Sequence, residues 1–158
     1  MFMRHLLIIS LIALTSACGF HLRGQLPMSE SANVIFIDAE ESEFKRLLTD
    51  QLVGNGAKLV SDASAAKVSL KIRDLRLERL ASTLDARGKA NSYSLRFAVS
   101  YAVFDTDNKS LQSNILSESR DYTFDAAQIL QQEREEKDLT EDMRKELVVR
   151  LVRQLSVL

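Results

Sequence analysis

Eleven consecutive residues near the middle of the chain alternate strictly between large apolar and small or polar side chains. The apolar positions are Tyr93, Leu95, Phe97, Val99, Tyr101 and Val103, and the positions between them are Ser94, Arg96, Ala98, Ser100 and Ala102. Successive side chains of a β-strand point to opposite faces, so the pattern predicts a long strand with one face in a core. The chain must therefore fold around a sheet that is covered on one face and left open to water or a partner on the other.

Three further segments have the character of strands. A turn-forming cluster at 105–108 precedes an extended segment at 111–124, which predicts an antiparallel hairpin with the alternating strand. The alternation at 68–77 changes phase at Arg73 and Asp74, and this predicts a β-bulge there. The apolar run at 34–37 predicts a strand that is buried on both faces, whereas 58–60 is only a short lead-in to the sheet.

Apolar residues recur at helical spacing in two other segments. The first is 42–53, and the second begins at 126 and carries a stripe formed by Ile129, Leu130, Leu139, Met143, Leu147, Leu151 and Leu155. Its polar stretch at 131–138 is expected to extend beyond the sheet. The order of elements predicts an α+β fold, a two-layer sandwich with two helices packed on one face of a mixed sheet of about four strands.

The N-terminus has the charged, apolar and small-residue parts of a secretory signal in the usual order. Cys18 stands at the junction between Ala17 and Gly19, a pattern that resembles a bacterial lipoprotein signal, in which this thiol receives the lipid. The alternative is an ordinary signal peptide followed by an incidental free cysteine. We expect a signal peptide at 1–17, a lipidated tether at 18–32 and one α+β domain at 33–158.

Lipidation of Cys18 would fix the location of the chain. The resemblance to a bacterial lipoprotein signal implies that Cys18 carries three acyl chains. Three chains make a stable anchor, whereas one chain alone binds a membrane only marginally. Bacteria sort such lipoproteins partly by the residue that follows the cysteine, and Asp at this position tends to retain the protein in the inner membrane. In this sequence the residue is Gly19. We therefore expect a protein anchored by its lipid in the periplasmic leaflet of the outer membrane.

Composition excludes several classes of function. Lys and Arg number 21 against 22 Asp and Glu, and such a balance gives no net positive field for nucleic acid. Removal of the signal takes away Arg4, which leaves a formal side-chain charge of −2. Cys18 is the one cysteine, and His21 is the one histidine that would remain. Without a recognisable catalytic motif, we predict no enzyme, no catalytic residue, no metal site and no cofactor.

Two acidic clusters have residues of the type that bind cations. Glu133, Glu135 and Glu136 fit a solvent-facing helix better than a ligand set. Asp105 and Asp107 lack the glycine and the distal glutamate of a calcium loop, so a turn is the better interpretation.

The residues that begin the predicted mature chain carry a family resemblance. The sequence CGFHLRG at 18–24 resembles the mature start of the lipopolysaccharide (LPS) assembly lipoproteins, the LptE family. A glycine loop before an aromatic-led strand at 88–93 and the final amphipathic helix, which ends at 151–155, fit the same family. Phe20 and Leu22 would pack on the partner, on the membrane surface or in the domain core.

The resemblance implies a role and a set of partners. A member of this family partners and plugs the outer-membrane β-barrel of the LPS translocon, aids its assembly, and binds LPS during delivery to the outer leaflet. The alternative is an outer-membrane lipoprotein that serves as a scaffold or adaptor for another envelope machine and does not contact LPS.

Basic residues near the predicted loop at 82–90 are the candidates for LPS contact. Arg87, Lys89 and Arg96 lie within ten residues of one another, and guanidinium groups bind phosphate bidentately. Lys71, Arg73 and Arg76 on the preceding strand are next in line. The alternative is a solvated strand face with ordinary surface charges.

Overall fold

The computed structural model of the protein describes residues 28–125 and 128–158. The predicted signal peptide and lipid attachment site, 1–17 and Cys18, lie outside this range. The described chain forms five strands and two α-helices: β1 (Val34–Asp38), α1 (Glu43–Gly54), β2 (Lys58–Val60), β3 (Val68–Leu84), β4 (Ala90–Phe104), β5 (Ser110–Thr123) and α2 (Ile129–Leu155). Short 3-10 turns occur at Glu30–Ala32 and Ala63–Ala65. The predicted α+β sandwich is confirmed.

One mixed sheet contains all five strands, in the order β2-β1-β3-β4-β5. β1 pairs in parallel with both β2 and β3, whereas β3, β4 and β5 pair antiparallel. The expectation of about four strands is low by one, because 58–60 is not a lead-in but a separate strand beside β1. A three-residue strand leaves no alternation to detect, which is why the sequence pattern did not reveal it.

The long strands confirm the predicted hairpin and bulge, and they correct the predicted loop. The register between β3 and β4 shifts between Ile72 and Asp74, so Arg73 is the bulged residue. β3 then continues to Leu84, and the connection to β4 is only 85–89 rather than 82–90. Side-chain oxygens of Thr83 and Ser92 hydrogen-bond across this end of the hairpin at 2.6 Å.

Both helices cover the same face of the sheet. Phe44, Leu48 and Leu52 of α1 and Met143, Leu147 and Leu151 of α2 join the apolar face of β4 in one core. Ser42 caps α1 by accepting a hydrogen bond from the backbone N–H of Lys45 at 3.2 Å, as polar N-cap residues commonly do. The predicted assignment of β4 is confirmed, since Leu95, Phe97, Val99, Tyr101 and Val103 are all buried.

The start of α2 departs from the prediction. Ile129 and Leu130 are exposed rather than part of the buried stripe. Leu130 lies about 140° around the helix from Met143, since each residue advances by about 100°. Ile129 lies on the side of Met143 but occupies the first position of the helix, so its exposure reflects its place at the helix end. Gln132 and Thr140, in contrast, are buried within or beside the predicted polar stretch.

The sheet has two ends with different features. Residues 28–32, the end of the predicted tether, lie against the domain at one end, where the backbone N–H of Met28 donates to the carbonyl of Asn55 at 3.3 Å and Ala32 is buried. We call this the tether end. The β3–β4 turn, 85–89, stands at the opposite end, and we call it the hairpin tip. A strand of the length of β4 separates the two ends by about 50 Å at 3.3 Å per residue.

Candidate functional site

The hairpin tip is built around Asp85. Its Oδ1 accepts hydrogen bonds from the backbone N–H groups of Lys89, at 3.0 Å, and Arg87, at 2.8 Å. These bonds, from Lys89 first and Arg87 second, hold the pKa of the Asp85 carboxyl below its ordinary value. Gly88 has a φ of +76°, a left-handed conformation that glycine adopts without strain. The tip is therefore a tight turn with a defined backbone.

Arg87 and Lys89, two of the three predicted LPS contacts, both lie on this turn. The side chain of Arg87 is 82% exposed, and its Nε lies 3.5 Å from a carboxylate oxygen of Asp85. An ion pair this exposed contributes little free energy, and the guanidinium keeps most of its donors toward solvent. The structure thus brings two basic side chains together at the far end of the sheet from the tether end.

Arg96, the third predicted contact, is not part of this group. It lies on β4 opposite Glu78 of β3 and Ser119 of β5, about 20 Å along the strand from the start of β4. The expectation that it adjoins Arg87 and Lys89 is wrong, because β4 begins at Ala90 rather than at Tyr93 and its pairing with β3 continues to the pair Leu84–Ala90.

Arg96 belongs instead to the open face of the sheet, the face without helices. A shallow groove of about 180 Å³ around it is lined by Asp74, Arg76, Glu78, Arg96, Ala98, Ser100 and Ile115. Much of the remaining open face on β4 and β5 consists of serines, namely Ser92, Ser94, Ser113, Ser117 and Ser119. This face is therefore mostly small or polar, as the alternation in the sequence predicts, but it also carries the exposed apolar side chains of Leu80 and Ile115.

Two of the three next candidates on β3, Lys71 and Arg76, are already engaged in ion pairs. The Nζ of Lys71 lies 3.0 Å from Asp38, and the guanidinium of Arg76 lies 3.2 Å from Asp74 and 3.8 Å from Glu78. Their charges are therefore compensated locally, which makes them weaker candidates for an anion site than the residues of the hairpin tip.

An arginine set among aromatic rings is a feature that the sequence did not reveal. The guanidinium carbon of Arg79 lies 3.9 Å from the ring centre of Tyr93, and Tyr93 stacks on Tyr122 at 5.9 Å. Glu136 of α2 accepts a hydrogen bond from the Tyr122 hydroxyl at 2.6 Å. These residues come from three strands and a helix, so only the pairing register brings them together. Aromatic residues at corresponding positions of β4 and β5 were the one signal available beforehand.

Burial, with the neighbouring Glu136 carboxylate next in importance, raises the pKa of Tyr122 to about 12. Glu136 therefore packs toward the sheet and does not face solvent as the sequence predicted. A cleft of about 420 Å³ adjoins the cluster and is lined by Glu43, Arg79, Glu133, Glu136, Lys137, Thr140, Glu141 and Arg144. Its charges are of both signs, which is typical of a helix–sheet junction stabilised by ion pairs.

The turn between β4 and β5 repeats the geometry of the hairpin tip. Asp105 accepts hydrogen bonds from the backbone N–H groups of Asp107, at 3.0 Å, and Lys109, at 2.8 Å. Asn108 has a φ of +60° in the position that Gly88 occupies at the tip. This confirms a turn at 105–108. In 28–125 and 128–158, no group of three or more His, Cys, Asp or Glu side chains is arranged to hold a metal ion.

The α-helices of 28–125 and 128–158 are α1 and α2. Neither α1 nor α2 combines the length and the apolar character that a helix needs to cross a bilayer.

Comparison with known proteins gives a family and a fold. The model of the LptE family, described as lipopolysaccharide-assembly, matches residues 27–155. An NMR structure of an uncharacterized lipoprotein B from Nitrosomonas europaea is 27% identical, with a TM-score of 0.76, and the match covers 87% of this chain and 90% of that one. A search of curated protein sequences finds no match.

Two crystal structures share the fold. Rare lipoprotein B from Shewanella oneidensis is 25% identical, with a TM-score of 0.71, over 79% of this chain and 95% of that one. A minor lipoprotein from Acinetobacter baumannii is 20% identical, with a TM-score of 0.66, over 83% of this chain and 94% of that one, and it supports the fold alone.

Proposed function

Because the chain belongs to the LptE family of lipopolysaccharide-assembly lipoproteins, we propose that it partners and plugs the outer-membrane β-barrel of the LPS translocon. In this role it aids assembly of the barrel and delivery of LPS to the outer leaflet. The proposed role is that of a binding and assembly component, not of an enzyme. The site of action is the outer membrane, with the lipid on Cys18 anchored in the periplasmic leaflet.

The open face of the sheet is the observation that carries this proposal. The lumen of an outer-membrane barrel is polar, so a plug must present polar side chains to it. The serines of β4 and β5 do so on one broad surface without helices. The sheet is also about 50 Å long, slightly more than the 40–45 Å of a bilayer with its headgroups, so a domain of this shape can extend through a lumen.

A native pull-down tests the partner. The tagged, lipidated chain is isolated from membranes in mild detergent. We expect one large heat-modifiable barrel protein to co-purify in an amount equal to that of the tagged chain. As a second arm, depletion of the chain should lower surface LPS and leave that barrel misassembled. Intact surface LPS and an intact barrel after depletion would favour the alternative, an adaptor for another envelope machine.

Within this function, we propose that the hairpin tip binds the phosphates of LPS through Arg87 and Lys89. Both side chains project from a turn that Asp85 holds in place, and charge-assisted hydrogen bonds to phosphate contribute about 1.5–3 kcal/mol each. The tip lies at the opposite end of the sheet from the tether end. Contact with LPS would therefore occur about 50 Å from the tether end.

The matching turn at 105–109 supplies a control. Arg87→Asp with Lys89→Asp is compared with Lys109→Asp, which changes a lysine at the equivalent position of a turn with the same hydrogen bonds. Binding of purified LPS to the lipidated chain in detergent should fall at least tenfold for the first variant only, while the barrel still co-purifies. Equal losses in both variants, or no loss in either, would remove the tip as the LPS site.

A further inference from the structure

One edge of the sheet has a long stretch of strand without a neighbour. β1 pairs with β3 only from Val68 to Lys71, and in the described part of the chain no other strand lies on that side. Beyond Lys71, β3 continues to Leu84 and is paired on its other side with β4 alone. The backbone N–H and C=O groups that face away from β4 along this stretch are available to another strand. We call this stretch, 72–84, the β3 edge.

The opposite edge of the sheet is protected in a way that the β3 edge is not. The Nη1 of Arg150 on α2 donates to the carbonyl of Ser117 on β5 at 3.1 Å, and Arg120 donates to the carbonyl of Ser119 at 2.9 Å. Among the described residues, no side chain donates to or accepts from the backbone of 72–82. Arginine side chains thus occupy two backbone carbonyls of β5, whereas no described side chain occupies the backbone of 72–82.

The side chains of the β3 edge define the chemistry of a strand that fits it. On the open face, Asp74, Arg76 and Glu78 give the charge order negative, positive, negative, and Arg76 lies 3.2 Å from Asp74 and 3.8 Å from Glu78. On the other face, Leu75 and Leu77 lie between them, and Leu77 is 45% exposed. Opposite charges on neighbouring strands attract and like charges repel. A matching strand therefore carries basic, apolar, acidic, apolar and basic side chains in turn, and this order is the same in either direction.

A second copy of the chain does not fit this edge. Antiparallel pairing about Leu77 would set Arg76 of each copy opposite Glu78 of the other. In that register, 82–84 of the second copy would lie opposite 70–72, where β1 already occupies the edge as far as Lys71. A shift of two residues away from β1 sets Glu78 opposite Glu78. The charge-matched position is therefore open to a lone extended strand and closed to another sheet.

We propose that 74–78 of β3 binds an extended segment of a partner protein as an added strand, with a basic, apolar, acidic, apolar, basic pattern. Bulges delimit this docking segment, because the register with β4 shifts at Arg73 and again between Ala81 and Thr83. Main-chain hydrogen bonds would supply the affinity, and the alternating side chains would supply the specificity. The role is separate from LPS contact at the hairpin tip and from the polar open face.

A capped seven-residue peptide tests the charge rule. Its sequence is threonine-lysine-valine-glutamate-valine-lysine-threonine. A second peptide has glutamate in place of each lysine and lysine in place of the glutamate. Binding to the lipidated full-length chain in detergent is measured by fluorescence anisotropy. We expect the first peptide to bind about tenfold more tightly than the second, because three cross-strand charge pairs change from attraction to repulsion. Equal binding of the two peptides, or binding of neither, would overturn the proposal.

Two protein variants separate the β3 edge from general electrostatics. Arg76→Glu makes the open-face charges of the segment uniformly negative, so it should bind a peptide with lysine at all three charged positions in preference to the original. Arg46→Glu is the matched control, because Arg46 is equally exposed at 63% and also lies near two carboxylates, but on α1. Thermal melting confirms that both variants fold. A change of preference in the control as well would contradict docking at this edge.

Hydrogen exchange tests the backbone contact itself. Peptide binding should slow exchange at alternate amides of 74–78, those that face away from β4, and leave the remaining amides unchanged. In one of the two possible strand directions, the valine N–H groups of the peptide point toward β3. Methylation of these nitrogens removes their hydrogen bonds, so the methylated peptide should bind more weakly and no longer protect β3 in that direction. Protection without alternation would show that the peptide binds elsewhere.

Discussion

Replacement of Phe97 by alanine should destabilise the domain more than any change on the open face. Phe97 lies on the helix-covered face of β4 and is only 6% exposed. Its ring packs against Phe44 of α1 at 6.3 Å between centroids, and the guanidinium of Arg144 on α2 lies 5.7 Å from its centre. The side chain therefore joins the sheet to both helices.

The magnitude follows from the area and the contacts that are lost. An aromatic side chain buries about 150 Å² or more, and at about 25 cal/mol per Å² the transfer contribution approaches 4 kcal/mol. Alanine retains a little of this contribution, whereas the cavity and the lost ring contacts add to the cost. We expect a loss of about 3–5 kcal/mol in the free energy of unfolding, against a total of about 5–15 kcal/mol.

Thermal unfolding followed by circular dichroism measures the effect. A loss of this size should lower the Tm by about 10–15 °C. Ser100→Ala is the control, because Ser100 is on the same strand but on the open face, where a surface substitution changes stability by about 0.5 kcal/mol at most. If the two variants melted at the same temperature, the assignment of the two faces of β4 would be refuted.

Two further predictions concern the anchor and the aromatic cluster. Cys18→Ala should abolish incorporation of labelled palmitate and release the chain to the periplasm; palmitate in the variant would contradict lipidation at this residue. Tyr122 should ionise with a pKa of about 12, so absorbance at the phenolate band should lose its highest-pH component in Tyr122→Phe. Since the raised pKa favours the protonated phenol in the fold, its contribution to stability is complete below about pH 10 and is lost as the pH rises through 12. A Tyr122 that titrates near 10 would contradict burial beside Glu136.

Features set by short-range contacts were predictable from the sequence. The alternation around Phe97 fixes which face of β4 is buried, because the period of a strand leaves no other choice. The phase change at Arg73 identifies the bulge, since one extra residue is the least disruption that moves the apolar side chains back to the core. The cap at Ser42 depends on a residue only three positions away.

Features that depend on pairing between distant segments were not predictable. Arg79 reaches Tyr93 and Tyr122 only because β3, β4 and β5 align in one particular register. β2 is a strand because β1 lies beside it, and its three residues carry no periodic signal of their own. A single sequence contains the residues for such contacts but not the register that selects among them.

The placement of Arg96 shows how one local error becomes an error in the site. With a loop predicted at 82–90 and a strand that begins at Tyr93, Arg96 is only three residues, or about 10 Å, from the start of the strand, which is compatible with a phosphate shared with Arg87. In a strand, each residue adds about 3.3 Å, so the start of β4 and Arg96 are about 20 Å apart. The pairs of Thr83 with Ser92 and of Leu84 with Ala90 extend the ladder to the tip. They therefore separate a compact pair of basic residues on a turn from a single arginine on a polar face. A phosphate-binding role for the tip then depends on Arg87 and Lys89 alone, which is why the double variant, and not a change at Arg96, is the decisive test.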